Sequence, residues 1–95
     1  MLDYIQGNIA EKNPTQVVME NGGLGFQVNI SLNTFTKIQN LSQCKLYLYL
    51  HVGGGTHTPI TLSLFGFHDL NERDVFMSLI SVSGVGTSAA RMMLS

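Results

Sequence analysis

The residues best suited to chemistry form the run Gly84-Val85-Gly86-Thr87-Ser88, with Arg91 one helical turn further on. Two glycines around one apolar residue allow a sharp turn between two helical patterns, because glycine tolerates positive φ and close backbone approach. Such a turn leaves the first N–H groups of the second helix without partners, and hydroxyl side chains there suit an anion such as a nucleic-acid phosphate. The pattern predicts a helix-hairpin-helix with Val85 packed between the helices. A tight turn between helices that binds nothing has the same spacing, and the pattern leaves that alternative open.

Composition limits the class of protein. The 95 residues suit one ordinary domain, or one small domain and a fragment; 44% are hydrophobic and only 12% charged, so a partner or further sequence is expected to cover apolar surface. The formal net charge of −1 carries no basic signature, so nucleic-acid binding would have to use local geometry. The single Cys44 excludes an internal disulfide and fits a reducing compartment. With no signal-peptide pattern and no apolar run long enough to span a bilayer, a cytoplasmic protein without membrane contact is expected.

Alternating patterns predict five short strands, at 4–10, 16–20, 25–30, 45–52 and 60–67. A bend is expected at Gly7, and the glycines after Asn21 predict a hairpin between the second and third strands. Ser31 or Asn33 is placed to cap a short helix before the fourth strand. The chain is therefore predicted to be mainly β with a C-terminal helical part, the strands forming a five-stranded OB-type barrel. A five-stranded meander would give nearly the same pattern.

The composition changes at His68, which divides the chain into a barrel over 1–68 and a helical part over 69–95. Asp69 and Glu72 have the spacing of a capping box at the start of the first helix. Arg73 and Asp74 are expected on its solvated side. Its apolar face is predicted to carry Val75, Phe76, Leu79 and Ile80. Methionines at 77, 92 and 93 are expected between helices. Because the second helical pattern reaches Ser95 without a cap, we expect the sequence to be part of a longer chain.

Other chemistry-bearing residues have no organising motif. His51, His57 and His68 lack the spacing of metal ligands, so no metal site is expected. No nucleophile motif organises serine, histidine and aspartate, so the sequence predicts no catalytic residues, no cofactor and a non-enzymatic protein. Tyr47 and Tyr49 share a strand face with His51 and could stack on bases or cover a subunit interface.

Four motifs in order carry a resemblance to a known family: Tyr4-Ile5-Gln6-Gly7, Gly23-Leu24-Gly25-Phe26-Gln27-Val28, Leu64-Phe65-Gly66-Phe67 and Leu79-Ile80-Ser81-Val82-Ser83-Gly84-Val85-Gly86. The chain resembles the RuvA family, the Holliday-junction-binding subunits of the bacterial branch-migration complex. The resemblance implies an OB-fold barrel that builds a homotetramer, followed by the first hairpin motif of a truncated second domain. A second hairpin motif and a domain that contacts the RuvB motor hexamer would lie beyond Ser95.

The resemblance also implies a function and a site. The implied role is binding of four-way junction DNA, without base specificity, as a scaffold for an ATP-driven motor in recombination and repair. The alternative is an oligomerisation module with little DNA binding of its own. Carried over residue by residue, the DNA-binding site comprises Gly84, Val85, Gly86, Thr87, Ser88 and Arg91.

The chain departs from the family pattern at two places. The family usually has Pro-Lys or a similar pair after Gly-Val-Gly, and this chain has Thr87-Ser88, so weaker and less salt-dependent DNA binding is expected. An Arg-Glu-Asp-Ala-like loop between the last two strands supplies an acidic pin in the family. Here the loop reads Gly53-Gly54-Gly55-Thr56-His57-Thr58-Pro59, with no charged residue other than histidine from His51 to His68. No residue inherits the role of the pin, which puts strand separation by this chain in doubt.

Overall fold

The five strands close into a barrel in the order β1-β2-β3-β5-β4, in a computed structural model that describes residues 1–95. The elements are β1 (Tyr4–Asn13), β2 (Gln16–Asn21), β3 (Leu24–Asn29), α1 (Leu32–Ile38), β4 (Gln43–Gly53), β5 (Thr61–Phe67), α2 (Leu70–Ile80) and α3 (Thr87–Met93). This arrangement confirms the predicted barrel and excludes the meander, because β3 lies beside β5 instead of β4. The β3–β5 contact is parallel and has one residue pair, Asn29 with Phe65. The Asn29 side-chain amide adds a bond to the Leu64 carbonyl at 3.2 Å.

Strand β1 pairs with two strands and so closes the barrel between β2 and β4. Its first half pairs with β4 and its second half with β2, and the register shifts between Ile9 and Glu11. Gly7 lies just before that change of partner, where a Cβ would collide with the backbone carbonyl oxygen of Glu20. Glycine is therefore required at position 7 by the close approach of β2.

The barrel interior is filled by apolar side chains from alternate strand positions, and α1 contributes Ile38. Ser31 caps α1, since its side chain accepts a hydrogen bond from the Thr34 N–H. Cys44 is half-buried against this core, and its burial raises the pKa of the thiol. The buried members of the cluster are Ile5, Val17, Met19, Val28, Ile30, Ile38, Leu46 and Leu48.

A second cluster joins the helical part to the barrel. The fully buried Phe76 of α2 lies between two β5 side chains, with ring centroids 5.1 Å from Phe65 and 5.0 Å from Phe67. Tyr49 meets Phe76 edge-on at 5.8 Å, and Ala90 of α3 completes the cluster. Tyr49 is therefore packed beneath α2 and is not free to stack on bases.

The start of α2 differs from the prediction. Asp69 has the N-cap position but makes no side-chain capping bond; its carboxylate instead pairs with Lys37 and His68. Glu72 is buried and does not complete a capping box. A capping pattern is local, whereas Lys37 and the two hydroxyls that bond Glu72, those of Ser31 and Thr34, are distant in sequence.

Arg73 was expected in solvent, but its side chain is only 15% exposed. Its guanidinium donates to the Asp3 carboxylate at 2.9 Å and to the backbone carbonyls of Asp3 and Leu48 at 3.0 and 3.3 Å. The side chain therefore ties α2 to the N-terminal segment and to β4. The predicted apolar face is also incomplete, since Val75 is exposed. The methionines expected between helices, Met77, Met92 and Met93, are exposed too.

The β4–β5 hairpin continues to its last pair, Gly53 with Thr61. The neighbouring residue pair is Val52 with Leu62. Their side chains lie on the sheet face that lines the interior closer to the barrel, yet at this end of the hairpin they are 59% and 68% exposed. The connecting loop, 54–60, turns through a bond from the Gly55 N–H to the Thr58 carbonyl and is exposed throughout. The loop is thus a tip without Asp, Glu, Lys or Arg, and apolar side chains flank it. None of the helices is both long and apolar enough to cross a membrane.

Candidate nucleic-acid interface

The turn between α2 and α3 has the backbone that the two glycines predicted. Two bonds, from the Val82 N–H to the Leu79 carbonyl and from the Val85 N–H to the Val82 carbonyl, both 3.1 Å, reverse the chain after α2. Gly84 has a φ of +86°, a left-handed conformation that other residues rarely adopt, and a Cβ there would meet no atom within 4 Å. Gly84 is therefore required by backbone conformation and not by crowding.

Val85 anchors the turn. It is half-buried and packs against the cluster formed by Phe65, Phe67, Phe76 and Ala90, which lies between the two helices and β5. The packing predicted for Val85 is confirmed. With this side chain inward, the flanking Gly84 and Gly86 remain exposed on the outer side of the turn.

The free donors of the turn lie at the start of α3. Gly86 is the N-cap, with φ −91° and ψ 176°, and the first helical bond is donated by Ala90 to the Gly86 carbonyl at 3.0 Å. The N–H groups of Gly86, Thr87, Ser88 and Ala89 donate to no group of the chain. No side-chain oxygen caps this helix, so the Ser88 hydroxyl and these N–H groups are available to an external acceptor.

Arg91 is placed differently from the other predicted site residues. Its guanidinium donates to the Thr15 carbonyl in the β1–β2 turn at 3.3 Å and lies 6.0 Å from the centre of the Phe65 ring. The structure therefore groups Gly84, Val85, Gly86, Thr87 and Ser88 in one turn whose glycines and Ser88 are exposed, whereas Arg91 contacts the barrel. This cation helps to fix α3 against the barrel.

The remaining cations are also engaged within the chain. Lys12 donates to the Leu41 carbonyl at 2.9 Å, and the Lys45 ammonium lies 4.2 Å from the centre of the Tyr4 ring. Lys37 donates to Asp69, and this hydrogen bond raises the pKa of Lys37 and lowers that of Asp69. With Arg73 held by Asp3, every Lys and Arg has a partner in the chain. Any phosphate binding at the hairpin must therefore rely mainly on N–H groups and hydroxyls.

The histidines lie in three different environments. His51 meets the Phe65 ring edge-on at 6.5 Å, His57 is exposed in the β4–β5 loop, and His68 contacts the Asp69 carboxylate at 3.2 Å. No group of three or more His, Cys, Asp or Glu side chains is arranged to hold a metal ion.

Sequence reasoning missed one polar cluster. Glu72 accepts hydrogen bonds from the hydroxyls of Ser31 and Thr34, both at 2.6 Å, and all three side chains are buried. Glu72 follows Ser31 by 41 residues, so no local pattern joins them. The only available signal was a carboxylate near the start of α2, which equally fits a capping box.

Comparison with known proteins agrees with the barrel fold. The family model described as RuvA N terminal domain matches residues 1–66. The Holliday junction branch migration complex subunit RuvA of Bacteroides fragilis is 48% identical over 95 residues, which are 100% of this chain and 45% of the relative. The proteins of that name from Christiangramia forsetii and Azobacteroides pseudotrichonymphae are 48% and 46% identical, again over the whole chain and 47% and 46% of the relatives. The chain thus spans about half the length of the curated relatives it matches, and it belongs to the RuvA family.

Proposed function

We propose that this chain is the barrel and first hairpin of a non-catalytic subunit that binds four-way junction DNA and serves as a scaffold for a branch-migration motor. The observation that carries the proposal is the exposed turn at Gly84–Ser88, where four consecutive N–H groups from Gly86 to Ala89 have no partner in the chain. Backbone N–H groups bind phosphate oxygens without reading bases, so the binding is independent of sequence. Family membership supports the choice of DNA as the source of the phosphate.

The proposed contact is weak for each subunit. It combines N–H groups with the Thr87 and Ser88 hydroxyls, and the guanidinium of Arg91, which is already bonded to Thr15, contributes at most its remaining donors. Few counterions are released by such a contact, so its affinity should depend only shallowly on salt. Several copies held in one assembly would add these contacts together and select DNA by its four-armed shape.

The rest of the proposal concerns the assembly. Residues 1–68 would form the barrel that builds a homotetramer, and residues 69–95 would supply the first hairpin motif of a second domain. The RuvB motor hexamer would be contacted through a segment beyond this chain. Consistent with a subunit interface, the barrel exposes large apolar side chains, among them Leu24, Val52, Ile60 and Leu62. The setting proposed for this assembly is the cytoplasm.

The same exposed apolar surface favours a second candidate function. In that alternative the chain is an oligomerisation module, and its DNA contacts are too few to matter because every Lys and Arg has an internal partner. Light scattering together with a gel shift of four-way against linear DNA separates the candidates. A shift that favours the four-way DNA supports the proposal, whereas an oligomer that shifts neither DNA supports the alternative.

A gain-of-binding variant tests the site itself. Ser88→Lys places a cation beside the free N–H groups, and Gln39→Lys adds the same charge at the exposed C-cap of α1 as a control. At the proposed site, each added phosphate contact should steepen the log–log salt dependence of binding by about 0.9. The proposal is contradicted if the two variants change binding equally.

A further inference from the structure

We propose that Glu72 is a positioning residue, which holds the hairpin helices at a fixed orientation to the barrel and thereby sets the preference for four-way over linear DNA. This inference rests on the proposed function, and it adds a residue that lies outside the phosphate-binding turn.

The contact joins two elements that are distant in sequence. Glu72 of α2 is 7% exposed, and its two carboxylate oxygens accept from the Ser31 and Thr34 hydroxyls at 2.6 Å. Ser31 is 1% exposed and Thr34 is fully buried, and both belong to the start of α1, which is part of the barrel. A buried carboxylate of the helical part is thus bonded directly to the barrel.

Every hydroxyl in this cluster has both of its roles filled. The Ser31 oxygen accepts from the Thr34 N–H at 3.1 Å, and the Thr34 oxygen accepts from the His68 N–H at 3.2 Å. Each hydroxyl proton is therefore directed to Glu72, and the carboxylate acts as an acceptor at both oxygens. Removing any one hydroxyl or oxygen leaves a buried polar group without a partner.

Other bonds place α3 beside the same part of the barrel. The Leu32 N–H at the start of α1 donates to the Ser95 hydroxyl at 3.1 Å, and Ser95 donates to the Arg91 carbonyl at 3.1 Å. Arg91 reaches the carbonyl of Thr15. These bonds lie at the surface, where water competes, whereas the Glu72 cluster is buried.

A buried polar cluster of this kind specifies geometry more than it adds stability. Apolar packing of Phe76 holds α2 on β5 but allows small changes in the angle between α2 and the barrel. Two short hydrogen bonds from fixed hydroxyls restrict α2 to one angle. The angle matters because phosphate contacts at one hairpin are the same on any duplex. Only the relative placement of hairpins and barrel distinguishes four arms from two.

The test compares Glu72→Gln with Glu20→Gln in the 95-residue chain. Both substitutions remove one negative charge, but Glu20 is exposed and its side chain makes no hydrogen bond. In Glu72→Gln the amide nitrogen faces a hydroxyl that needs an acceptor, so one bond is lost. The readout is the ratio of the dissociation constants for linear and four-way DNA. We expect the ratio to fall by about fivefold or more, with linear-duplex affinity within about twofold of the unaltered chain.

An unchanged ratio in a folded Glu72→Gln variant would overturn the proposal. This holds whether both affinities stay as they were or both fall by the same factor, and the latter is what a purely structural role predicts. If circular dichroism shows that Glu72→Gln does not fold, Thr34→Val and Thr34→Ser take its place. The valine variant should lose the preference, and the serine variant, which keeps the hydroxyl, should retain it.

A measurement without DNA separates this inference from the proposed function. Spin labels on exposed positions, introduced as Glu11→Cys and Ser83→Cys in a Cys44→Ala background, report the distance from barrel to hairpin. Glu72→Gln should broaden or displace a narrow distance distribution, and Glu20→Gln should not; an unchanged distribution overturns the inference. Equal binding of four-way and linear DNA by the unaltered chain refutes the proposed function, and the distance measurement still decides the role of Glu72.

Discussion

Two glycines of the hairpin allow a matched pair of substitutions, Gly84→Ala and Gly86→Ala. Both glycines are exposed, and a Cβ at either would meet no atom within 4 Å, so packing contributes to neither effect. They differ in backbone conformation: Gly84 has φ +86°, whereas Gly86 has φ −91°. Only Gly84→Ala therefore places a side chain in the left-handed region.

The magnitude follows from that difference. A left-handed alanine costs about 1–2 kcal/mol, and the lower entropy of the unfolded chain returns about 0.4–1 kcal/mol. Gly84→Ala should therefore destabilise by about 1 kcal/mol. At Gly86 the same entropic gain is offset by the roughly 0.5–1 kcal/mol by which alanine is a poorer N-cap than glycine, so the net change is close to zero.

Thermal unfolding measured by circular dichroism checks this expectation. For a chain of this size about 1 kcal/mol corresponds to a Tm lower by about 4–8 °C, so Gly84→Ala should melt below Gly86→Ala by that amount. Amide hydrogen exchange in α3 should accelerate in Gly84→Ala alone. Equal Tm values for the two variants would refute the assignment of a required positive φ to Gly84.

Three further predictions test the barrel, its junction with the helices and the surface ion pair. Gly7→Ala should destabilise by about 1–3 kcal/mol in urea unfolding, because its methyl meets a β2 carbonyl, whereas Gly25→Ala makes only an ordinary 3.5 Å contact and should be nearly neutral. Phe76→Ala should cost about 3–5 kcal/mol, and near-ultraviolet dichroism should show a loosened helical part on an intact barrel. The pKa of Asp69 is lowered by its hydrogen bond from Lys37, so the stabilisation by this pair is present above the ordinary value of 3.8 and is lost as pH falls through the lowered pKa. An acid titration of stability in Asp69→Asn should lack that loss, and identical acid profiles would contradict the pairing.

Local patterns were sufficient for much of the fold. Alternation located all five strands, Ser31 was one of two predicted caps for α1, and Gly84 and Val85 have the conformation and packing that their spacing indicated. These features depend on neighbouring residues, which the sequence displays directly. The choice between barrel and meander could not be made from local patterns, because it depends on one parallel contact between β3 and β5.

Side-chain partners distant in sequence could not be predicted. Helical periodicity assigned Arg73 to solvent because it does not reveal that Asp3 lies beside α2. Glu72 was assigned to a cap from its local spacing alone. The residues that it bonds to precede it by 41 and 38 residues, and no local pattern reveals them. For the candidate site, the exposed turn was predictable from glycine spacing, whereas the engagement of Arg91 with the β1–β2 turn required the folded arrangement.

The single-pair contact between β3 and β5 has a consequence for how the chain folds. Every other strand pair has at least five residue pairs, while this one has a single pair and the Asn29 amide bond. It also joins residues far apart in sequence, so its loop-closure entropy is large for the few bonds gained. We expect the strand pairs that involve β1 to form first and the β3–β5 pair, which closes the barrel, to form last. A species arrested before that step would present two unpaired strand edges, which are the features that draw partly folded β-proteins into aggregates.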